Sequence, residues 1–170
     1  MGINFGNSSS TSGLVADLWR STTDHAGNTT PLPNWERADS GNQGYIVGMS
    51  QSSGIFTFPK TGIYLIQYFG RAFLDNVTTA SQRCTFSIDT TTDNANYSPA
   101  AQGHVHFGGG GYSTSLDTTG SASCALLFDV TDTSNQKVRF TFGAGQGFEK
   151  VSGNSSINQT YATFTLMGDT

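Results

Sequence analysis

The chain has 170 residues and a formal net charge of -4, and only 12% of its residues are Asp, Glu, Lys or Arg, against about 25% in typical soluble domains. That length allows one domain with a substantial core, while the acidic balance leaves no basic footprint for nucleic acid or an anionic membrane. No apolar run approaches the roughly 20 residues of a helical membrane span, and a polar surface built from Ser, Thr, Asn, Gln and Gly favours short strands and turns over long helices.

In chain order, residues 1–13 are rich in Gly, Ser and Asn with two apolar positions, Ile3 and Phe5. They read as an extended arm ahead of a single domain over 14–170. No charged-then-apolar leader opens the chain, and the residues after Gly2 fit a myristoylation pattern only loosely. Leu14–Trp19 predicts a short strand, followed by a polar loop around Asp24–Asn34 containing Pro31 and Pro33. Trp35 and Tyr45–Met49 predict short edge pieces. Ile55–Phe58 and Ile63–Phe73 are strands separated by the turn signature Pro59-Lys60-Thr61-Gly62. After a turn at Asp75–Ser81, Cys84–Ile88 alternates cleanly, with Cys84, Phe86 and Ile88 inward and Arg83, Thr85, Ser87 and Asp89 outward. Thr90–Pro99 reads as a loop, and His104–Phe107 as a short strand running into Gly108–Gly111. Ala122–Val130 is apolar on both phases. Lys137–Phe142 places Val138, Phe140 and Phe142 inward and Lys137, Arg139 and Thr141 outward. A glycine-rich loop at Gly143–Gly153 precedes the last strand, Tyr161–Met167.

These strands are of two kinds. Cys84–Ile88 and Lys137–Phe142 have one polar face, so each can stand between a core and water. Ile63–Phe69 and Ala122–Val130 have none: Tyr64, Ile66 and Tyr68 alternate with Ile63, Leu65 and Phe69. Strand side chains point to opposite faces in turn, so such a run has to be covered on both sides. An antiparallel sandwich covers one side with its own core. The other requires a second layer or further copies of the chain, and closed symmetry makes a ring, most simply a trimer, the natural solution.

Residues that could carry chemistry are few. Cys84 and Cys124 both sit on apolar phases, which favours two buried thiols over a bridge. His104-Val-His106 presents two imidazoles on one strand face but no third ligand. Asp89 with Asp93, or Asp129 with Asp132, lack the oxygen-rich spacing of a calcium loop, and Gly108–Gly111 lacks the helix and Lys-Ser/Thr of a phosphate cradle. The only glutamates, Glu36 and Glu149, sit in different loops. No enzyme, metal site or cofactor is expected. Trp19 and Trp35 read as packing residues, although an exposed Trp35 would offer a sugar-stacking platform. The loops Asp24–Asn34, Thr90–Pro99 and Gly143–Gly153 are the candidate recognition surface.

The string Gly54-Ile-Phe-Thr-Phe-Pro-Lys-Thr-Gly-Ile-Tyr-Leu65 and its continuation to Phe69 resemble the signature of the tumour necrosis factor/C1q-like jelly-roll superfamily. Ser121–Val130 followed by Gln136–Phe142 resembles its leucine-rich hairpin, and Tyr161–Met167 its C-terminal strand. The resemblance implies an all-β, two-sheet antiparallel jelly roll that forms a homotrimer. It implies a trimer interface of Leu65, Gln67, Phe69, Ala125, Leu127, Tyr161, Thr163, Thr165 and Met167. It also implies a core of Tyr64, Ile66, Tyr68, Phe86, Ile88, Cys124, Leu126, Phe128, Val138, Phe140, Phe164 and Leu166. Scarce charge and abundant Ser, Thr, Asn and Gly are most similar to the C1q-like modules of bacteriophage virion proteins. The function so implied is that of a trimeric capsid decoration or cement protein on the virion surface, non-enzymatic, whose arm anchors to the major capsid protein through Ile3 and Phe5. The competing implications are a receptor- or glycan-binding tip of a phage fibre, or a secreted C1q-like binding protein.

Overall fold

A computed structural model describes residues 15–38, 48–74, 82–107, 118–145 and 149–170. The expected arm, with Ile3 and Phe5, and most of the Tyr45–Met49 piece lie outside the described residues. Among those described there are strands and no helix: β1 Ala16–Ser21, β2 His25–Ala26, β3 Trp35–Arg37, β4 Ser50–Ser52, β5 Ile55–Thr57, β6 Gly62–Leu74, β7 Gln82–Thr91, β8 Ser98–Phe107, β9 Thr118–Val130, β10 Lys137–Ala144, β11 Lys150–Val151 and β12 Tyr161–Gly168.

They form two antiparallel sheets. In one, β6 is the spine: β9 pairs along its whole length on one side, and β12 followed by β11 pair on the other. β12 leads on to β1 and β3, and β11 to β2. The other sheet has the order β4-β5-β10-β7-β8. This is the expected jelly-roll sandwich, with sequence-distant strands side by side.

The core lies between the sheets and is aromatic. Phe56 sits 5.5 Å from Trp19, 5.6 Å from Trp35, and 5.3 Å from both Phe140 and Phe164. Such ring pairs add about 0.5–1.5 kcal/mol each beyond the area they bury. The period of two in β6 works as read: Tyr64, Ile66 and Tyr68 are fully buried, while Leu65, Gln67 and Phe69 are half-buried on the opposite face. Of the expected core, Cys124, Leu126 and Phe128 are partly buried and pack against the cluster from β9. Gly70 lets β6 pass over the Phe86 ring, because a Cβ there would fall inside it. A Cβ on Gly103 would come within 2.5 Å of the Ser123 carbonyl, so this glycine lets β8 close on β9 where the two sheets meet.

The second sheet corrects one expectation. Its outward face is not simply wet, since Ser87, Asp89 and Lys137 are buried. The Asp89 carboxylate accepts from Ser87 Oγ (2.6 Å) and pairs with Arg139 Nε (3.2 Å), and the Tyr97 ring lies 4.4 Å from the Arg139 guanidinium. Lys137 Nζ donates to the Thr133 carbonyl at 2.7 Å. The chain between β7 and β8 thus folds back over this face. β7 runs on to Thr91 and β8 begins at Ser98, shortening the loop expected over Thr90–Pro99.

Candidate functional site on the outer sheet face

The outward surface of β9-β6-β12-β1 is built from the second phase of each strand. Register stacks it in rows: Leu65 lies between Leu127 and Thr165, with Ala16 beyond, and Gln67 lies between Ala125 and Thr163, with Leu18 beyond. Phe69 lies between Ser123 and Tyr161. Eight of the positions implied for the trimer interface therefore share one face: Leu65, Gln67, Phe69, Ala125, Leu127, Tyr161, Thr163 and Thr165. The ninth, Met167, stands exposed at the bulge between Leu166 and Gly168.

Local contacts fix this face. The Phe69 and Tyr161 rings stack at 4.7 Å with their planes 15° apart, and Thr163 Oγ1 donates to Gln67 Oε1 at 3.2 Å. A cleft of about 290 Å³ opens beside the ring pair, lined by Phe69, Gly70, Ser121, Ala122, Ser123, Gln159 and Tyr161. At the other end of the face the apolar side chains are bare: Leu127 is 65% exposed, Met167 60% and Ile63 37%. Leu127, Ile63 and Met167 come from the neighbouring strands β9, β6 and β12, and exposed apolar groups gathered in this way mark interaction surfaces. From β9 to β1 the Leu65 and Gln67 rows hold no charged side chain, whereas the Phe69 row continues from Tyr161 to Arg20, which is paired with Glu36.

The remaining candidates are held in structural roles. Cys84 and Cys124 are free thiols. Burial, with the Glu149 charge adding to it, pushes Cys84 up to about 12, and burial pushes Cys124 up to about 11, so neither is a ready nucleophile. Cys124 Sγ instead donates to the Phe86 carbonyl at 3.7 Å. His104 and His106 are both exposed on β8, with His104 Nδ1 3.0 Å from Thr85 Oγ1. No group of three metal-ligating side chains occurs among the described residues. Asp93 accepts from the Asn96 amide, from Asn96 Nδ2 and from the Ala95 amide, which holds its carboxyl well below the usual range. Asp132 does the same for Asn135 and Ser134 and is likewise lowered by those bonds. Asp89 is taken by Arg139, and Glu36 pairs with Arg20 at 2.7 Å. Trp35 is 5% exposed, with Nε1 donating to the Leu32 carbonyl, which removes it as a sugar platform. The Gly108–Gly111 loop lies outside the described residues.

Sequence reading missed a polar recess beyond the Phe69 row, where Arg71 of β6 faces Asp24 and Asn154 from the loops. It also missed the side-chain clamp that fastens β1: Asp17 takes Arg37 with both oxygens (2.9 and 3.0 Å) and accepts the Met49 amide at 2.9 Å. Neither group has a periodic signature, because the partners are 20 to 129 residues apart.

No family model and no curated protein sequence matches the chain. Solved structures do match its fold. The structure of Eiger TNF from S. frugiperda superposes with a TM-score of 0.65 at 13% identity, covering 92% of this chain and 94% of that one. Murine APRIL superposes with a TM-score of 0.57 at 14% identity, covering 91% of this chain and 99% of that one. The chain therefore has the two-sheet, TNF-like jelly-roll fold.

Proposed function

We propose that the chain is a homotrimeric, non-enzymatic structural protein of a phage virion, one that decorates or cements the capsid. The observation that carries the trimer is the outer sheet face, where Leu127 is 65% and Met167 60% exposed in a single chain. Burying that face against copies of itself removes the apolar surface from water, and a three-fold ring closes without leaving a free interface. The buried axis would supply rigidity, the mechanical property a cementing protein needs. The virion assignment draws on sequence composition: sparse charge, abundant Ser, Thr, Asn and Gly, and an N-terminal segment too polar to build a core of its own. Its two apolar residues, Ile3 and Phe5, would anchor each subunit to the shell, and three arms on one trimer gain avidity from modest single contacts.

Deletion of residues 1–13 tests this reading. Trimers should still form, and association with capsids should be lost; unchanged capsid occupancy rejects the anchoring role. Saturable, loop-dependent binding on a glycan array, with no capsid association in the intact chain, would assign the molecule to a fibre tip instead.

A further inference from the structure

β6 has an interruption on the side where β12 and β11 pair with it. β12 pairs as far as Phe69, and β11 takes up the pairing only at Ala72. Between them the chain makes an excursion over residues 152–160, leaving a recess of about 340 Å³ above Arg71. Its walls include Asp24, Phe73, Thr119, Asn154 and Gln159. That volume lies within the range of small-ligand sites, but the lining is polar where such sites are mostly apolar.

The recess is rigidly built. The Arg71 amide donates to Thr160 Oγ1 at 3.2 Å, and the Arg71 carbonyl accepts from the Ser152 amide at 2.8 Å. Asp24 Oδ1 accepts the Gly153 amide at 2.9 Å, and a Cβ on Gly153 would overlap the Thr23 backbone. Asn154 Oδ1 accepts the Ser156 and Ile157 amides at 2.7 and 2.9 Å, which fixes its side chain. These backbone groups are engaged, while several side-chain groups are not. The Arg71 guanidinium, the Gln159 amide and the Thr119 hydroxyl make no hydrogen bond or ion pair among the described residues. Asp24 uses one oxygen, and it lines the same recess as Arg71 without forming an ion pair with it.

A guanidinium with no partner, and a carboxylate with one oxygen engaged, among the described residues face one space and call for a ligand that is both an anion and a hydroxyl donor. A guanidinium fork fits a carboxylate in bidentate fashion, and the second Asp24 oxygen needs an O–H. In inorganic phosphate the charge and the hydroxyl share one centre, so it would bring its charge against Asp24; a uronate holds its carboxylate apart from its ring hydroxyls, and a neutral sugar would leave the fork without an anion. We propose that this recess is a binding site for an acidic monosaccharide unit of the uronic acid type. Its carboxylate would lie on Arg71, one hydroxyl on Asp24, and neighbouring hydroxyls against Asn154 and Gln159. All of its lining residues belong to one chain, so its binding chemistry does not depend on the virion assignment.

The test is calorimetric titration of the full-length protein with D-glucuronate, D-glucose and inorganic phosphate. Saturable glucuronate binding is expected, with glucose and phosphate at least tenfold weaker. Arg71→Gln should weaken glucuronate at least tenfold without altering the melting temperature, since its guanidinium makes no hydrogen bond or ion pair among the described residues. Asp24→Asn keeps an oxygen for the Gly153 amide but loses the anionic acceptor, and it should also weaken glucuronate; this variant carries the test should Arg71→Gln fold poorly. Absence of saturable glucuronate binding, equal binding of glucose or phosphate, or unchanged affinity in the variants overturns the proposal.

Discussion

The clamp on β1 makes a demanding prediction about stability. The Asp17 side chain is 0% exposed and the Arg37 side chain 24%. Asp17 engages Arg37 Nε and Nη2, accepts the Met49 amide at 2.9 Å, and so ties β1, β3 and the segment entering β4 together. Arg37 also donates to the Met49 carbonyl and lies 4.6 Å from the Trp19 ring. Asp17→Ala removes the carboxylate that pairs with a partly buried guanidinium and that accepts the Met49 amide. Removing one partner of a buried pair costs about 3–5 kcal/mol. In a chain of this length each kcal/mol moves the melting temperature by about 2–4 °C, so a fall of roughly 6–20 °C is expected. Asp17→Asn keeps the shape and an acceptor oxygen, and should cost less, about 1.5–3 kcal/mol, the worth of hydrogen bonds to a charged group. In Asp17→Ala/Arg37→Ala, the second change should add less than it does alone, with a coupling of about 0.5–3 kcal/mol. The assay is urea unfolding at one fixed protein concentration, because self-association contributes to apparent stability. A cost under about 1 kcal/mol for Asp17→Ala, or strict additivity in the double variant, would refute the reasoning. The clamp matters to the functional face because β1 carries Leu18 onto it.

Other outcomes follow from particular groups. Gly70→Val places side-chain atoms in the Phe86 ring and should destabilise by about 1–3 kcal/mol or more through overpacking, measured by thermal melting. Cys84 and Cys124 are raised from 9.0 to about 12 and about 11 by burial, so the folded chain holds protons that the unfolded chain releases. Their contribution is complete below pH 9 and is lost as pH rises toward 11–12; Cys84→Ala/Cys124→Ala should flatten that alkaline fall, and in the wild type neither thiol should react with a disulfide reagent at pH 8 until the chain is unfolded. Asp93 and Asp132 are depressed from 3.8 by the amides they cap, so their contribution is present above about pH 4 and lost as pH falls below it. Asp93→Asn/Asp132→Asn should therefore shallow the acid limb of a stability-versus-pH curve.

Much of the fold was legible because strand periodicity is local. Tyr64, Ile66 and Tyr68 alternate against Leu65, Gln67 and Phe69 within one run, and their burial follows that alternation. The aligned phases of β6, β9 and β12 likewise brought the expected outer-face residues together. What sequence did not reveal depends on partners far apart in the chain. Ser87 and Asp89 look like the wet side of β7, but Arg139 and Tyr97 cover them. The strands His25–Ala26, Ser50–Ser52 and Lys150–Val151 are too short and polar to show a period. Arg71 reads as one outward position of β6. Its setting arises only because β11 and β12 leave a gap above it, into which Asp24 and Asn154 are brought by loops.

The exposed outer face is tested most directly by sedimentation equilibrium of the intact chain at micromolar concentration, beside Leu127→Asp. A species three times the 18.0 kDa chain mass is expected for the wild type, and a folded single chain for the variant, whose substitution lies on a side chain that is 65% exposed and contributes little to its own core. A wild-type protein that sediments as a stable single subunit would contradict the self-association on which the structural role rests.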